Sequence, residues 1–569
     1  MKKRLFPIIL LLFGGLIFAG NGDIHLIILH TNDVHGGIGM STAFWMNPEF
    51  PPVLGGAASI TTLIKEVRKE AEKTGAGVLI IDDGDFWQGT PVGERTKGQA
   101  VLDYFALAGY DYLVMGNHDF DKGIPFIKEL VESSDIPFLC ANIIDTETGE
   151  YPQWKNLKKY DIREYGEVKV GIIGAITDDM PTLQPPENLK GIAFALSALA
   201  IKKSISELRE QGCDLIFVAS HTGISYNLDE KYPALLDMEN EALKEGLVYG
   251  TDEYIEAIYK KKGYGLQDHD IVELVPGIDV LIGGHSHSGL FPPYEDPRNH
   301  TLVIQAFSKG SALGRLDLFV NREEKVITSY RSSNYTPMLE QTPQDPDAKN
   351  MIDGYIADAE SDLLEVVGVL KKPAARGNDE TLLGNLISDA LREEYKADFV
   401  LFNRGGMRAD LAAGEVTGKD LYQAEPFGNT AVLVEIPGFE LLQIIQIGFS
   451  GKRRDTQISG VKVTYNPDQH GVNKLCDVKF LDGSSIDLDK TYILVTSNYL
   501  ADGAVGYGLL KKLKQTNTFT PIRDVMKNYI RRHTPIDPKL DGRIKRDKKA
   551  KISGDFQNIL DELNRRLEE

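Results

Sequence analysis

Five apolar runs of strand character each end in a short polar station rich in Asp, His and Asn, and no other feature of the 569-residue chain constrains its fold as much. The runs are Ile24 to Leu29, Val78 to Ile81, Tyr112 to Met115, Leu215 to Ala219 and Ile278 to Ile282. Behind them stand Asn32-Asp33-Val34-His35-Gly36, Asp83-Gly84-Asp85, Gly116-Asn117-His118-Asp119-Phe120-Asp121, Ser220-His221-Thr222-Gly223 and Gly283-Gly284-His285-Ser286-His287. Continuous apolar runs suit strands buried on both faces. Layered α/β folds gather ligands at the carboxyl ends of their strands, so stations far apart in sequence can converge there.

Between the strand runs lie amphipathic segments at Gly55 to Lys73, Gln99 to Leu107 and Ala193 to Gln211, an alternation that predicts a layered α/β domain over residues 21–340. The chain is too long for one ordinary core. Residues 341–364 read as a linker and a connecting helix from Asn350 to Leu364, and residues 365–546 as a second, smaller α/β domain with a helix at Leu383 to Tyr395 and a strand at Phe399 to Phe402. A polar stretch, Asn227 to Asp270, suggests an inserted helical loop, serving as a lid or as a solvated excursion. In the tail, 547–569, apolar residues Phe556, Ile559, Leu560, Leu563 and Leu567 recur at helical spacing behind a cap at Asp555.

Lys2, Lys3 and Arg4 followed by the apolar stretch Leu5 to Phe18 have the layout of a cleaved secretory signal over residues 1–20, shorter than the ~20 apolar residues of a membrane span. That predicts a periplasmic or secreted protein without a stable membrane anchor. Cys140, Cys213 and Cys476 form neither a paired framework nor a metal-binding spacing. A formal net charge of -20 argues against nucleic-acid partners. Small anionic substrates are still admitted, because metal ions reverse the local potential.

Carboxylate, amide oxygen and imidazole are the ligands of hard or borderline divalent ions, and one carboxylate can bridge two ions about 3.5 to 4 Å apart. The stations offer that set: Asp33, His35 and His287 for one metal, Asn117, His221 and His285 for the other, and Asp85 as bridge. Two divalent ions (Zn, Mn or similar) would turn a shared water into hydroxide and clamp a phosphoryl oxygen for in-line attack. Any one station alone is more often a capping pair or a satisfied histidine; five in order, beside Gly36, Gly84, Gly116 and Gly284, are not.

These motifs make the first domain resemble a calcineurin-like metallophosphoesterase, and residues 24–546 resemble the bacterial periplasmic 5'-nucleotidase and UDP-sugar hydrolase family. The resemblance implies a layered metallophosphoesterase β-sandwich flanked by helices, with a second α/β (α+β) domain that holds the substrate. It makes Asn117 a metal-binding amide and His118 a transition-state stabiliser oriented by Asp121; as imidazolium, His118 would stabilise the developing charge. In the second domain the stretches Leu383 to Ala390, Asn403-Arg404-Gly405-Gly406-Met407-Arg408 and Pro426-Phe427-Gly428-Asn429 follow the family pattern. By resemblance Arg408 and Arg376 grip phosphate, Phe427 and Tyr499 sandwich a base, and Asn403 and Asn429 belong to the substrate site.

Three departures stand out. Relatives carry Gly-Gly-Asp-Gly-Tyr where this chain has Gly503-Ala504-Val505-Gly506-Tyr507, and Val505 accepts no hydrogen bond from a ribose. Arg404 replaces a small residue, and Arg376 lies one residue farther from Gly384 than is typical. The resemblance implies release of phosphate from nucleotides. Alternatives are a 2',3'-cyclic-nucleotide 2'-phosphodiesterase with 3'-nucleotidase activity, a UDP-sugar hydrolase, or a non-catalytic secreted nucleotide-binding protein. The last sits poorly with Asp85, Asn117, His118 and Asp121 all being present.

Overall fold

The computed structural model describes residues 23–43, 45–47, 50–224, 228–263, 265–450, 456–469 and 474–568. The expected signal at 1–20 lies outside them. Among the described residues no helix is long and apolar enough to cross a membrane.

Two sheets pack face to face between layers of helices. The first has seven strands in the order Ile327–Tyr335, Leu313–Val320, Ile24–Thr31, Gly77–Asp82, Tyr112–Val114, Phe138–Leu139 and Leu157–Lys158. The second has six, in the order Tyr294–Glu295, Leu302–Ile304, Val280–Gly283, Leu215–His221, Val168–Ile176 and Tyr160–Tyr165. Strand alternation explains the unbroken apolar runs. Leu26 and Ile28 face the seam between the sheets, with Leu215, Phe217, Val280 and Ile282, whereas Ile27 and Leu29 face helices Gly56–Thr74 and Gln99–Ala108. Ile24–Thr31, Gly77–Asp82 and Tyr112–Val114 run parallel to one another, as do Leu215–His221 and Val280–Gly283. All five stations therefore emerge at the carboxyl ends of parallel strands in the middle of the two sheets.

The expected helix from Ala193 splits in two. Ile192–Phe194 pairs with Ile143–Asp145 as a strand, and the helix begins only at Ser197. The stretch 227–270 is neither a lid nor a solvated excursion. Its helices Leu228–Lys244 and Asp252–Lys262 bury Leu235, Ala242, Tyr254, Ile255 and Ile258 in the core shared with Ile216 and Val218 on the outer face of the second sheet. The connecting helix runs Pro346–Glu360, earlier than expected, because Asp345 accepts from the Ala348 amide at 3.1 Å and Pro346 suits the first helical turn. Its Ala348, Ile352 and Ala359 sit in the core of the first sheet's helices.

The second unit is built on a five-stranded sheet in the order Thr456–Ser459, Phe399–Asn403, Thr491–Ser497, Thr430–Pro437 and Lys514–Pro521. Both faces are covered: Phe399 and Leu401 face one core, Val400 and Phe402 the other. The carboxyl-terminal helix Gly554–Glu568 lies on the first of these, with Phe556, Leu560 and Leu563 buried. Its cap is Ser553, whose Oγ accepts from the Phe556 amide at 3.3 Å, and not Asp555, which falls inside the first turn.

Replacing Leu563, fully buried in that helix, by Ala should cost about 2–5 kcal/mol. Urea denaturation of the two proteins checks this, and an unchanged midpoint would mean the tail does not pack in solution.

Candidate metal centre

The stations meet as two ligand groups. Asp33, His35 and His287 form one, Asp85, His221 and His285 the other, with the donor atoms of each group lying within 4.8 Å of one another. Asp85 stands between them: its Oδ2 is 3.2 Å from His221 Nε2 and 3.7 Å from His35 Nε2. His287 Nε2 lies 3.3 Å from Asp33 Oδ1 and 3.1 Å from His35 Nε2. Asn117 joins the second group through its Oδ1, 2.7 Å from His285 Nδ1. The structure thus gathers the seven residues singled out in the sequence, with Asp85 grouped with His221 and His285 while lying near His35.

Backbone contacts aim the rings. His35 Nδ1 is 2.8 Å from the Gln88 carbonyl and His221 Nδ1 is 2.5 Å from that of Asp83, so both turn Nε2 inward. Asp119, quoted within its motif without a role, is the knot of the centre. Buried, it accepts from the amides of Asp85, Phe86 and Gly116 at 3.0, 3.1 and 2.7 Å, tying two stations together. Asn32 donates to Asp33 Oδ2 at 2.7 Å and accepts from the Ala306 amide. Gly116 is required by proximity, since a Cβ there would meet Asp85 Oδ1 at 2.2 Å. Backbone conformation carries a further mark: Asp33, His35, Asp85, His285 and His287 all hold positive φ between 50 and 71°. That region costs a residue with a Cβ roughly 1–2 kcal/mol.

Charge is arranged for a cation. Burial opposes ionisation of Asp85 and Asp33, yet His221 and His118 hold Asp85, and His287 and His221 hold Asp33, below the ordinary carboxylate range. Burial pulls His221 down, but Asp85 outweighs it and lifts the ring to about 10. Burial depresses His285 to about 3 and His35 well below its ordinary value. Asp33 Oδ1 and His221 Nε2 are buried without a hydrogen-bond partner. Two orphaned donor atoms within an oxygen and imidazole set fit divalent ions.

Beside this centre His118 Nδ1 lies 3.1 Å from Asp121 Oδ2, and Arg408 Nη2 lies 2.6 Å from His118 Nε2. A guanidinium only donates, so His118 Nε2 accepts and Nδ1–H donates to Asp121. Arg408 thus occupies the Nε2 that the expected imidazolium would turn to the substrate, so that role requires Arg408 to move off. Gln184, which carried no sequence signal, donates to both Asp121 Oδ1 and the Asn117 carbonyl, at 2.5 and 2.8 Å.

The second unit supplies the facing wall. Phe427 packs against His118 with centroids 5.3 Å apart, under the Arg408 guanidinium, while the Tyr499 hydroxyl donates to the Leu183 carbonyl at 3.1 Å. Arg376 donates to Asp410 at 3.0 Å and lines a cleft of about 240 Å³ with Arg408, Lys309, His35, His287 and Gln88. Lys309 is exposed to the cleft, where desolvation, then Arg408 and Arg376, lower its ammonium to about 8. Arg404 instead turns to Asn378 at 2.7 Å and does not line this cleft. Asn403 keeps a buried, unpartnered Oδ1, whereas Asn429 is already held by Glu425 at 2.9 Å. Val505 sits at φ 55°, an unusual setting for a β-branched residue.

A calcineurin-like phosphoesterase family model matches residues 26–289, and a 5'-nucleotidase C-terminal domain model matches residues 366–512. A 5'-nucleotidase of Vibrio vulnificus (strain CMCP6) is 28% identical over 568 residues, covering 91% of this chain and 92% of the relative. Protein UshA of Yersinia enterocolitica is 28% identical over 540 residues, covering 90% of this chain and 92% of the relative. The crystal structure of a 5'-nucleotidase precursor from Thermus thermophilus has the same fold, with a TM-score of 0.77 at 23% identity over 92% of this chain and 99% of that one.

Stripping divalent ions with a chelator should lower the melting temperature by several degrees, and adding Mn or Zn should restore it; identical melts would count against a buried cation site. Glu425 gives a pH test away from these ligands. Burial lifts its carboxyl to about 7 against Arg523 and Asn429, so the folded state retains a proton that the unfolded chain loses near 4.5. Stability should therefore fall as pH rises from 4.5 to 7. Glu425→Gln should be more stable than wild type at pH 8 by about 1–3 kcal/mol, with the gap closing below pH 5. A pH-independent gap in denaturation midpoints would contradict it.

Proposed function

Because the chain belongs to the 5'-nucleotidase family, carrying its calcineurin-like phosphoesterase domain and its C-terminal domain in order, we propose that it is an exported phosphohydrolase that releases phosphate from nucleotides with two divalent ions. Its class, a metal-dependent phosphoester hydrolase, follows from the family and its relatives. The observation that carries the reading is the placing of Asp85 between two ligand groups, beneath a cleft walled by Arg376 and Arg408. The signal-like residues 1–20 support export to the periplasm or medium.

Bound divalent ions would supply a Lewis acid for a phosphoryl oxygen and a water acidic enough to attack at neutral pH. The chain's own residues do the rest. Arg408, within reach of His118, transfers its donors to phosphate oxygens as substrate enters. His118, released from Arg408 and still bonded to Asp121, takes a proton from solvent at Nε2 and donates it to the leaving oxygen as the P–O bond breaks. Gln184 keeps Asp121 and the Asn117 loop in register. Phe427, beside His118, offers a face on which a base can stack. A base gripped by its face is poorly discriminated. With Val505 unable to accept a ribose hydrogen bond, hydrolysis of 2',3'-cyclic nucleotides or UDP-sugars by the same ligands is the second reading.

The test is phosphate release by the mature protein, metal-stripped and reloaded with Mn or Zn, over nucleoside phosphates, cyclic nucleotides, UDP-glucose and an aryl phosphate. Nucleotide turnover should appear only with metal and vanish in Asn117→Ala. His118→Ala should lower kcat by about 100-fold or more with KM little changed. Absence of release from every ester under both metals would refute the hydrolase reading.

A further inference from the structure

Lys309 plays no part in the reading above, yet its placement is specific. It follows the strand Leu302–Ile304 at φ 54°, and its amide donates to the Asp33 carbonyl at 2.8 Å. Its backbone is therefore pinned to the metal centre. Its side chain crosses to the second unit, where Nζ donates to the Arg408 carbonyl at 3.3 Å. Among the described residues neither Lys309 nor Arg408 has a carboxylate within ion-pair distance, whereas Arg376 has Asp410. Three cations thus line one cleft, and among the described residues Arg376 alone of the three has a carboxylate at ion-pair distance.

Like charges drawn together in a cleft are costly unless an anion joins them. The cleft's volume, about 240 Å³, is below the ~300–1,000 Å³ that whole drug-sized ligands occupy, so it suits phosphate groups better than a base. A single phosphoryl group held by two dications and Arg408 is already well compensated. Lys309, which has no Asp410 of its own as Arg376 does, would then chiefly repel the neighbouring cations, unless more anionic charge enters with it.

We propose that Lys309 is a specificity-determining residue, the first domain's contribution to a three-cation cage that holds a second phosphate of the substrate and so favours nucleoside diphosphates and other pyrophosphate-linked nucleotides over monophosphates. This rests on the nucleotide reading of the site, and the test separates the two. Wild type, Lys309→Met and Lys309→Arg, each metal-reloaded, are compared for kcat/KM on a nucleoside mono- and diphosphate. Binding of methylenediphosphonate and of orthophosphate to the same proteins is measured by calorimetry. Lys309→Met should lose about tenfold or more in diphosphate kcat/KM and in methylenediphosphonate affinity, against less than about threefold for monophosphate and orthophosphate. Lys309→Arg should retain both. Equal losses for one and two phosphates, or unchanged methylenediphosphonate affinity, overturn the proposal. If no nucleotide is turned over, the functional reading falls, while calorimetry still decides the role of Lys309.

Discussion

The structure of the site depends on one constraint: two carboxylates and four imidazoles are drawn together at the seam of two sheets, and little but a cation can satisfy them. Asp33 Oδ1 and His221 Nε2 form no hydrogen bond and meet, at 3.3 and 3.2 Å, only His287 and Asp85 of the same set, and no lysine or arginine forms an ion pair with Asp33 or Asp85 among the described residues. Local strain follows the same need. Five of these residues take left-handed backbone, and the loops leaving different strands point them at one place. The rigid inter-sheet core, from Leu26 and Ile28 to Val280 and Ile282, offsets that strain and fixes the strand ends. Asp119 converts the arrangement into a unit, because one buried carboxylate collects amides from two loops that would otherwise open independently.

The second unit closes the site with contacts that are few and mostly polar: Arg408 to His118, Tyr499 to the Leu183 carbonyl, Lys309 to the Arg408 carbonyl. Each ties a residue of one unit to a group near the chemistry of the other. Such contacts exchange readily for contacts to a ligand, since a phosphate oxygen is a better acceptor for a guanidinium than a neutral imidazole is. The availability of His118 Nε2 is thereby linked to occupancy. While Arg408 donates to it that nitrogen is taken up, and it is freed only when a ligand draws Arg408 away.

What could be read from the sequence was what repeats or sits in a motif. Strand runs such as Ile24 to Leu29 and stations such as Asn117-His118 announced both the layered fold and the seven residues that the fold gathers at one place, because burial on two faces and metal ligation each demand specific residue types. Residues whose importance comes only from where they land were silent. Gln184 lies in a proline-flanked stretch without a motif and reaches Asp121 through the fold. Lys309 is one lysine among many until its backbone meets Asp33. The stretch 227–270 misled because its polar composition hid Tyr254, Ile255 and Ile258, a narrow apolar stripe that covers the second sheet. Asn429 matched a motif, yet its amide is held by Glu425, so motif membership did not distinguish a ligand contact from a brace.

Charge is the last link between the chain and its substrate. A molecule with net charge -20 repels anions at a distance, so an anionic substrate gains little from long-range steering. Its attraction must come from short range, within roughly a Debye length of 8–10 Å, where Lys309, Arg376 and Arg408 line one cleft with His35 and His287. Long polyanions must cross the repulsive surface along their whole length; a small phosphoester crosses it once and enters a cleft of opposite sign. The contrast between a net charge of -20 and a narrow cleft lined by three cations thus favours small anions over long ones before any contact with base or sugar.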